Sequence, residues 1–262
     1  MNKRRMNCKV VEPLSHFLMP DAVSAFRQIK NGRSHAFTLL ELLVVIAIIG
    51  LLAVLLFPVI SRSKQRVQQI QCVSNLHQLG IALQNFVADN HAYPCAFAGT
   101  NSDNPGPWFG QLERGGFGIS KPITNFLAAG VFRCPSDRYS TMSYGYNVYG
   151  VLPVGDWTNA LGLAGRLIST SEYFGPVRES EVVSPSEMMA IGDTFGGGVF
   201  FGRGHLDNRE LAIRFARHQG SLDVVFCDAH VESPTLGFLF TNTNDAALVL
   251  WNRDDLPHRD RL

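Results

Sequence analysis

From Leu42 to Ser61 the chain runs for twenty residues without a charged side chain, and the first sixteen, Leu42 to Phe57, are interrupted only by Gly50. That length spans the hydrocarbon core of a bilayer. A cleaved secretory signal fits poorly, because its apolar core runs about 7–15 residues and ends in small residues. Here the run ends in Phe57-Pro58-Val59-Ile60. A core helix of a soluble protein seldom stays apolar on every face for five turns. The segment therefore reads as a membrane-spanning helix, and every other feature has to be placed on one side of it or the other.

Charge places the sides only weakly. Arg27, Lys30 and Arg33 precede the span, and Arg62, Lys64 and Arg66 follow it. Four further positive residues upstream tip the balance toward a cytoplasmic amino terminus. Split after residue 36, the chain has seven Lys/Arg against two acids before the cut and sixteen against twenty after it. A basic leader thus precedes a mildly acidic body, which lacks the dense basic face that nucleic-acid binding requires. With 262 residues, 46% of them apolar, the body can bury a core of ordinary size.

The residues ahead of the apolar run are Ala36-Phe37-Thr38-Leu39-Leu40-Glu41, preceded by Lys30-Asn31-Gly32-Arg33-Ser34-His35. This stretch resembles the type IV prepilin signature. The resemblance implies cleavage by a membrane prepilin peptidase between Ala36 and Phe37, methylation of Phe37, and retention of Glu41 as an assembly carboxylate. The family more often has Gly where this chain has Ala36. Glu41 also stands out on physical grounds, since an acid inside a membrane helix costs about 2.5–3.5 kcal/mol at the centre and calls for a partner. After cleavage, the free amine of a neighbouring subunit's Phe37 would supply one. The plainer alternative is that Glu41 reaches interfacial water.

Beyond the span, Val67, Ile70, Val73, Leu76, Leu79, Leu83 and Phe86 recur at intervals of three and four, which predicts an amphipathic helix to about Asp89. Pro58 should loosen the helix, and Asn90 and Pro94 give the stop. The expected organisation is a basic leader over 1–36, the transmembrane half of a long helix over 37–60, its amphipathic continuation over 61–90, a sheet domain over 91–240 and a C-terminal tail over 241–262. The fold class is α+β and pilin-like: a long helix packed on a small antiparallel sheet with long loops.

Several later motifs extend the resemblance. The helix stretch around Cys72 to Pro94, then Cys134-Pro135-Ser136-Asp137, Tyr144-Gly145-Tyr146-Asn147, and His218 separated by nine residues from Asp228, are similar to a bacterial pseudopilin-like family. The likeness runs from residue 36 to about 233. Two positions depart from the family pattern: Ala229 follows Asp228 where Gly is usual, and His91-Ala92 stands where a glycine is usual. Leu222, Val224 and Phe226 alternate with Asp223, Val225 and Cys227, then return through His230-Val231-Glu232, predicting a hairpin. Ala229 cannot adopt positive φ as cheaply as Gly, so a longer or differently shaped turn is expected. Met188 to Ile191, ending at Gly192-Asp193, predicts another strand, and Thr100–Pro107 and Gly196–Gly204 read as loops.

For chemistry, His218, Asp228 and His230, with Asp193 nearby, could form a metal or acid–base group. The bland alternative has His218 hydrogen-bonding the Asp228 turn as a structural element, with His230 exposed. No cofactor is expected. The resemblance brings in Ca²⁺, which major pseudopilins hold on loop carboxylates and carbonyls, but Asp103, Asp137, Asp156 and Asp207 match no calcium spacing and no metal is assigned. The familiar enzyme signatures are missing, and Gly196-Gly197-Gly198 is a turn and not a phosphate cradle. The five cysteines form no C-x-x-C pair. Cys72 and Cys134 are the first pair to test as a disulfide between helix and sheet, while Cys95 and Cys227 could form a second bridge or stay free. Tyr144, Tyr146 and Tyr149 read as packing residues.

The expected function is a non-enzymatic structural subunit of the bacterial inner membrane, with its domain outside the cytoplasm. Its partners would be the prepilin peptidase, other pseudopilin subunits and the membrane, with no nucleic acid. The filament would be a type II secretion pseudopilus or a type IV pilus. The competing expectations are an uncleaved, membrane-anchored ligand-binding module and, third, a tethered hydrolase acting through His218 and Asp228.

Overall fold

The structure is a computed structural model that describes residues 38–95, 107–116, 130–137, 142–151, 160–163, 167–169, 172–173, 176–194, 200–203 and 217–262. The chain separates into two units, one through Leu55 and one from Leu56. Helix α1 covers Leu39–Asn90. Its first part is long and apolar enough to cross a membrane, and none of that window is buried in protein. Leu39, Phe57 and Ile60 are among the large apolar side chains left open there. Pro58 lies inside α1 without ending it. A single missing donor costs the ladder one hydrogen bond, and the helix continues on both sides of it.

The second part of α1 has one buried face: Cys72, Asn75, Leu76, Leu79, Gly80, Ala82, Leu83 and Val87. Val67 and Ile70, expected on that face, are 63% and 61% exposed. The buried stripe begins only at Cys72, so an apolar period longer than the surface it covers has left its first members outside. The helix ends where Asn90 and Pro94 predict. His91 takes a left-handed φ of 53° and donates its N–H to the Val87 carbonyl at 2.7 Å, the αL cap usually given to glycine.

After the short α2, Trp108–Gln111, come β1, Tyr144–Val151, and a separate two-stranded ribbon of β2, Leu167–Ser169, with β3, Glu172–Tyr173. The main sheet adds β4, Met189–Asp193, β5, Phe200–Arg203, β6, Val224–Phe226, and β7, Val231–Glu232, in the order β5-β1-β4-β6-β7. Strands β1, β4, β6 and β7 pair antiparallel, with Tyr144 opposite Asp193 and Gly192 opposite Val224. Strand β5 was expected as part of a glycine-rich loop; instead it pairs parallel along β1. Phe200 and Phe201 are strong strand formers, and they outweigh the glycines flanking them.

Both faces of the sheet are covered. One core joins Leu76, Leu79 and Leu83 of α1 to Tyr144, Tyr146, Val148, Ala190 and Val225, with Trp108 stacked on Tyr146 at 5.5 Å between ring centroids. The other collects the alternate residues, Met189, Val224 and Phe226, with Leu239, Phe240, Leu248 and Trp251. This is the two-residue period of strands, with apolar side chains on both sides of β6. The stretch 241–262, expected to be a tail, contributes α3, Asp245–Leu248, and the fully buried Trp251 to the second core.

Candidate functional site

Two places in the chain carry charge where apolar surroundings make it expensive. At the start of α1, the Glu41 carboxylate accepts from both the Thr38 N–H, at 2.9 Å, and the Thr38 hydroxyl, at 3.0 Å. The Glu41 N–H in turn donates to the Thr38 oxygen at 3.2 Å. Thr38 and Glu41, three residues apart, thereby make a reciprocal capping box. An acid at the edge of an apolar run is satisfied from within its own helix turn. Ala36 and Phe37 lie outside the described residues.

The second place is inside the sheet domain. Arg217 donates to Asp137 at 2.6 Å, to Asp193 at 3.3 Å, and to the Ser143 and Thr194 carbonyls at 2.9 Å each. Its side chain is 9% exposed, those of Asp137 and Asp193 3% and 0%. His218, in the turn His218–Gly220, sets Nε2 3.4 Å from Asp193 Oδ2 and 3.2 Å from Asp223 Oδ2. The backbone of Asp223 donates to Asp193 Oδ2 at 3.0 Å, and Asp223 Oδ1 accepts from Ser233 at 2.6 Å and Gln69 at 3.5 Å. Burial dominates the electrostatics, raising the Asp193 carboxyl to about 6 despite the pull of Arg217 and His218.

The expected meeting of His218 with Asp228 does not occur. His218 faces Asp193 and Asp223, whereas Asp228 accepts from the backbone and ring of His230 at the hairpin turn. The ring of His230 stacks on Phe226 at 4.2 Å. The reason is the sheet pairing: Asp193 ends β4 and bonds through its N–H to the carbonyl of Asp223, just ahead of the adjacent β6, whereas Asp228 lies beyond the other end of β6. Within the hairpin, the loop between β6 and β7 is four residues long and holds Ala229 at φ 73°. Arg217 and Asp223, the two residues that complete the buried group, escaped the sequence reading. Asp223 offered one signal, as a lone acid within an otherwise apolar run.

Beside this group, Cys72 of α1 and Cys134 are joined in a disulfide, with Cys134 Sγ 3.5 Å from His218 Nε2. Cys95 and Cys227 are free. Burial pushes the Cys227 thiol up to about 12, so it stays protonated. Tyr144 and Tyr146 are fully buried, and burial raises both phenols well above the ordinary range. Asp137 is committed to Arg217, and Asp103, Asp156 and Asp207 lie outside the described residues.

Comparison with known proteins bears on the first place. Residues 31–57 match the family model for the prokaryotic N-terminal methylation motif. The chain is 40% identical over 72 residues to type II secretion system core protein G of Escherichia coli K12, covering 28% of this chain and 50% of that protein. The counterpart from Aeromonas hydrophila is 39% identical over 73 residues, 28% of this chain and 51% of that protein. Over this part the chain is similar to these secretion-system proteins and carries a prokaryotic N-terminal methylation motif. The Vibrio cholerae protein of the same name is 34% identical over 83 residues, 30% of this chain and 57% of that protein. The chain spans about half the length of the curated relatives it matches. No solved structure matches it.

Proposed function

We propose that this chain is a non-enzymatic structural subunit, cut between Ala36 and Phe37 by a prepilin peptidase and assembled with other pseudopilin-type subunits into a secretion pseudopilus or a related pilus-like filament. The observation that carries the reading is the methylation motif over residues 31–57 running directly into an uncovered apolar helix with one acid, Glu41, at its start. Methylation would fall on Phe37. The named relatives, core components of type II secretion, favour the secretion machine over the pilus.

In this mechanism the Thr38 box holds the Glu41 carboxylate while the subunit waits in the inner membrane as a single-pass protein. The amine of a neighbouring Phe37 then offers a full positive charge, a stronger partner than a neutral hydroxyl and amide. Exchange of Thr38 for that amine fixes the stagger between adjacent helices. The amino terminus would lie in the cytoplasm and the domain outside, a placement favoured by the Cys72–Cys134 bridge, since disulfides persist in oxidising compartments.

The deciding experiment is mass spectrometry of the membrane-extracted chain. N-methyl-Phe37 as the first residue is the expected result, and an intact leader would instead make the protein an anchored binding module. In a second arm, Glu41→Ala should leave the chain processed and membrane-bound but absent from sheared filaments. Normal incorporation of that variant would remove the exchange step.

A further inference from the structure

Among the described residues, two groups bring three metal-ligating atoms within 4.8 Å of one another: Cys72, Cys134 and His218, and Asp193, His218 and Asp223. The sulfurs of the first are consumed by the disulfide. The second is open, and its polar inventory does not close. His218 Nε2 can offer at most one proton, yet it faces Asp193 Oδ2 and Asp223 Oδ2 together. Asp223 is wholly buried, and its Oδ2 accepts no hydrogen bond. A buried carboxylate oxygen left without a partner is costly unless something occupies it.

Charge points the same way. Among the described residues Asp193 shares the guanidinium of Arg217 with Asp137, and Asp223 pairs with no guanidinium, a surplus of negative charge that a divalent cation would reduce with the imidazole neutral. The spacing fits a small ion. Tetrahedral ligands about 2.0–2.1 Å from zinc stand roughly 3.3 Å from one another, and the Nε2 to carboxylate separations are 3.2 and 3.4 Å. Each carboxylate is also aimed from behind. Arg217 holds Asp193 Oδ1, and Ser233 with Gln69 holds Asp223 Oδ1, so both Oδ2 atoms turn toward the imidazole. Outer partners of this kind are what orient ligands in metal sites.

We propose that Asp193, His218 and Asp223 form a site for a divalent transition-metal ion of zinc type, with an imidazole nitrogen and two carboxylate oxygens as ligands. The ion would tie β4, β6 and the His218–Gly220 turn together beside the Cys72–Cys134 bridge. Its existence is independent of filament assembly, because every ligand belongs to the sheet domain.

The test is a zinc titration of the full chain in detergent after chelator treatment, without reductant so that the disulfide stays closed. The expected result is one Zn²⁺ per chain, a raised melting temperature, and an absorption spectrum with only nitrogen and oxygen neighbours near 2.0–2.1 Å. Asp223→Asn should weaken binding by more than about 100-fold. Ser233→Ala, at an exposed residue whose loss does not threaten folding, should weaken it by about 10–100-fold. His230→Ala should leave it unchanged. Failure of the wild-type chain to retain stoichiometric zinc, a sulfur neighbour at 2.3 Å, or equal affinity in Asp223→Asn and Ser233→Ala would each overturn the proposal.

Discussion

The start of α1 and the interior of the sheet domain both hold acids in apolar surroundings, and they satisfy them by different means. Glu41 is served by Thr38, three residues away in the chain. Asp193 is served by Arg217, by the Asp223 backbone and by His218, from 24 to 30 residues away. A local arrangement can be released and replaced one bond at a time, which suits a carboxylate that must change partners. A group gathered from several segments comes apart only when the domain does. Under the proposed function, the difference separates a side chain kept ready for assembly from side chains that hold the fold.

The sharpest way to break this contrast is Arg217→Ala. Two buried carboxylates, Asp137 and Asp193, lose their cation, and stranding buried charge costs about 3–5 kcal/mol. Urea denaturation of the chain in detergent should show a loss of that size, while Thr38→Ala should leave the midpoint unmoved. Equal effects from the two changes would mean that the acids are not held differently. Next in size is the disulfide. Cys72 and Cys134 are separated by 62 positions, and closing a loop of that length restrains the unfolded chain by about 4 kcal/mol. The Cys72→Ser, Cys134→Ser double variant should lose up to that amount yet stay anchored in the membrane. Release from the membrane would show that the apolar helix depends on the domain.

The same contrast explains which parts were legible in the sequence. The span, the stop at Asn90 and the β6–β7 hairpin all depend on neighbours within about four residues, and periodicity or a short motif exposes them; the Thr38–Glu41 box is equally local, yet the sequence pattern pointed Glu41 to an amine or to water instead. The partners of His218 do not. Nine intervening residues tied it to Asp228 in the sequence pattern, whereas sheet pairing set it against Asp193 and Asp223. Strand β5 and the packing of Trp251 were hidden for the same reason, since each is stabilised by a surface supplied elsewhere in the chain.

Close approach of α1 to the hairpin gives a smaller effect. A methyl group at Gly80 would stand 2.6 Å from a Val225 methyl and 2.9 Å from the Ala229 backbone. The backbone cannot step aside as a side-chain tip can, so Gly80→Ala should destabilise by about 1–3 kcal/mol through overpacking. A melting temperature equal to that of the unaltered chain would show that α1 can lift from the hairpin without loss.

The smallest effects come from the two positions where this chain departs from the glycines of its resemblance, and both hold positive φ, 53° at His91 and 73° at Ala229. A non-glycine residue there costs about 1–2 kcal/mol, of which glycine's own entropy returns about 0.5–1. His91 is 84% exposed in its side chain, and its ion pair with Glu179 at 3.5 Å is exposed too and worth little. His91→Gly should therefore stabilise the chain by about 0.5 kcal/mol. Ala229 differs because its residue is 6% exposed and lies against Gly80 of α1. Losing that buried methyl costs about 0.8 kcal/mol, which offsets the relief of φ and leaves Ala229→Gly near zero. Urea midpoints at constant slope resolve the two cases. Equal stabilisation at both sites would mean that the Ala229 methyl contributes nothing to holding the hairpin on the helix.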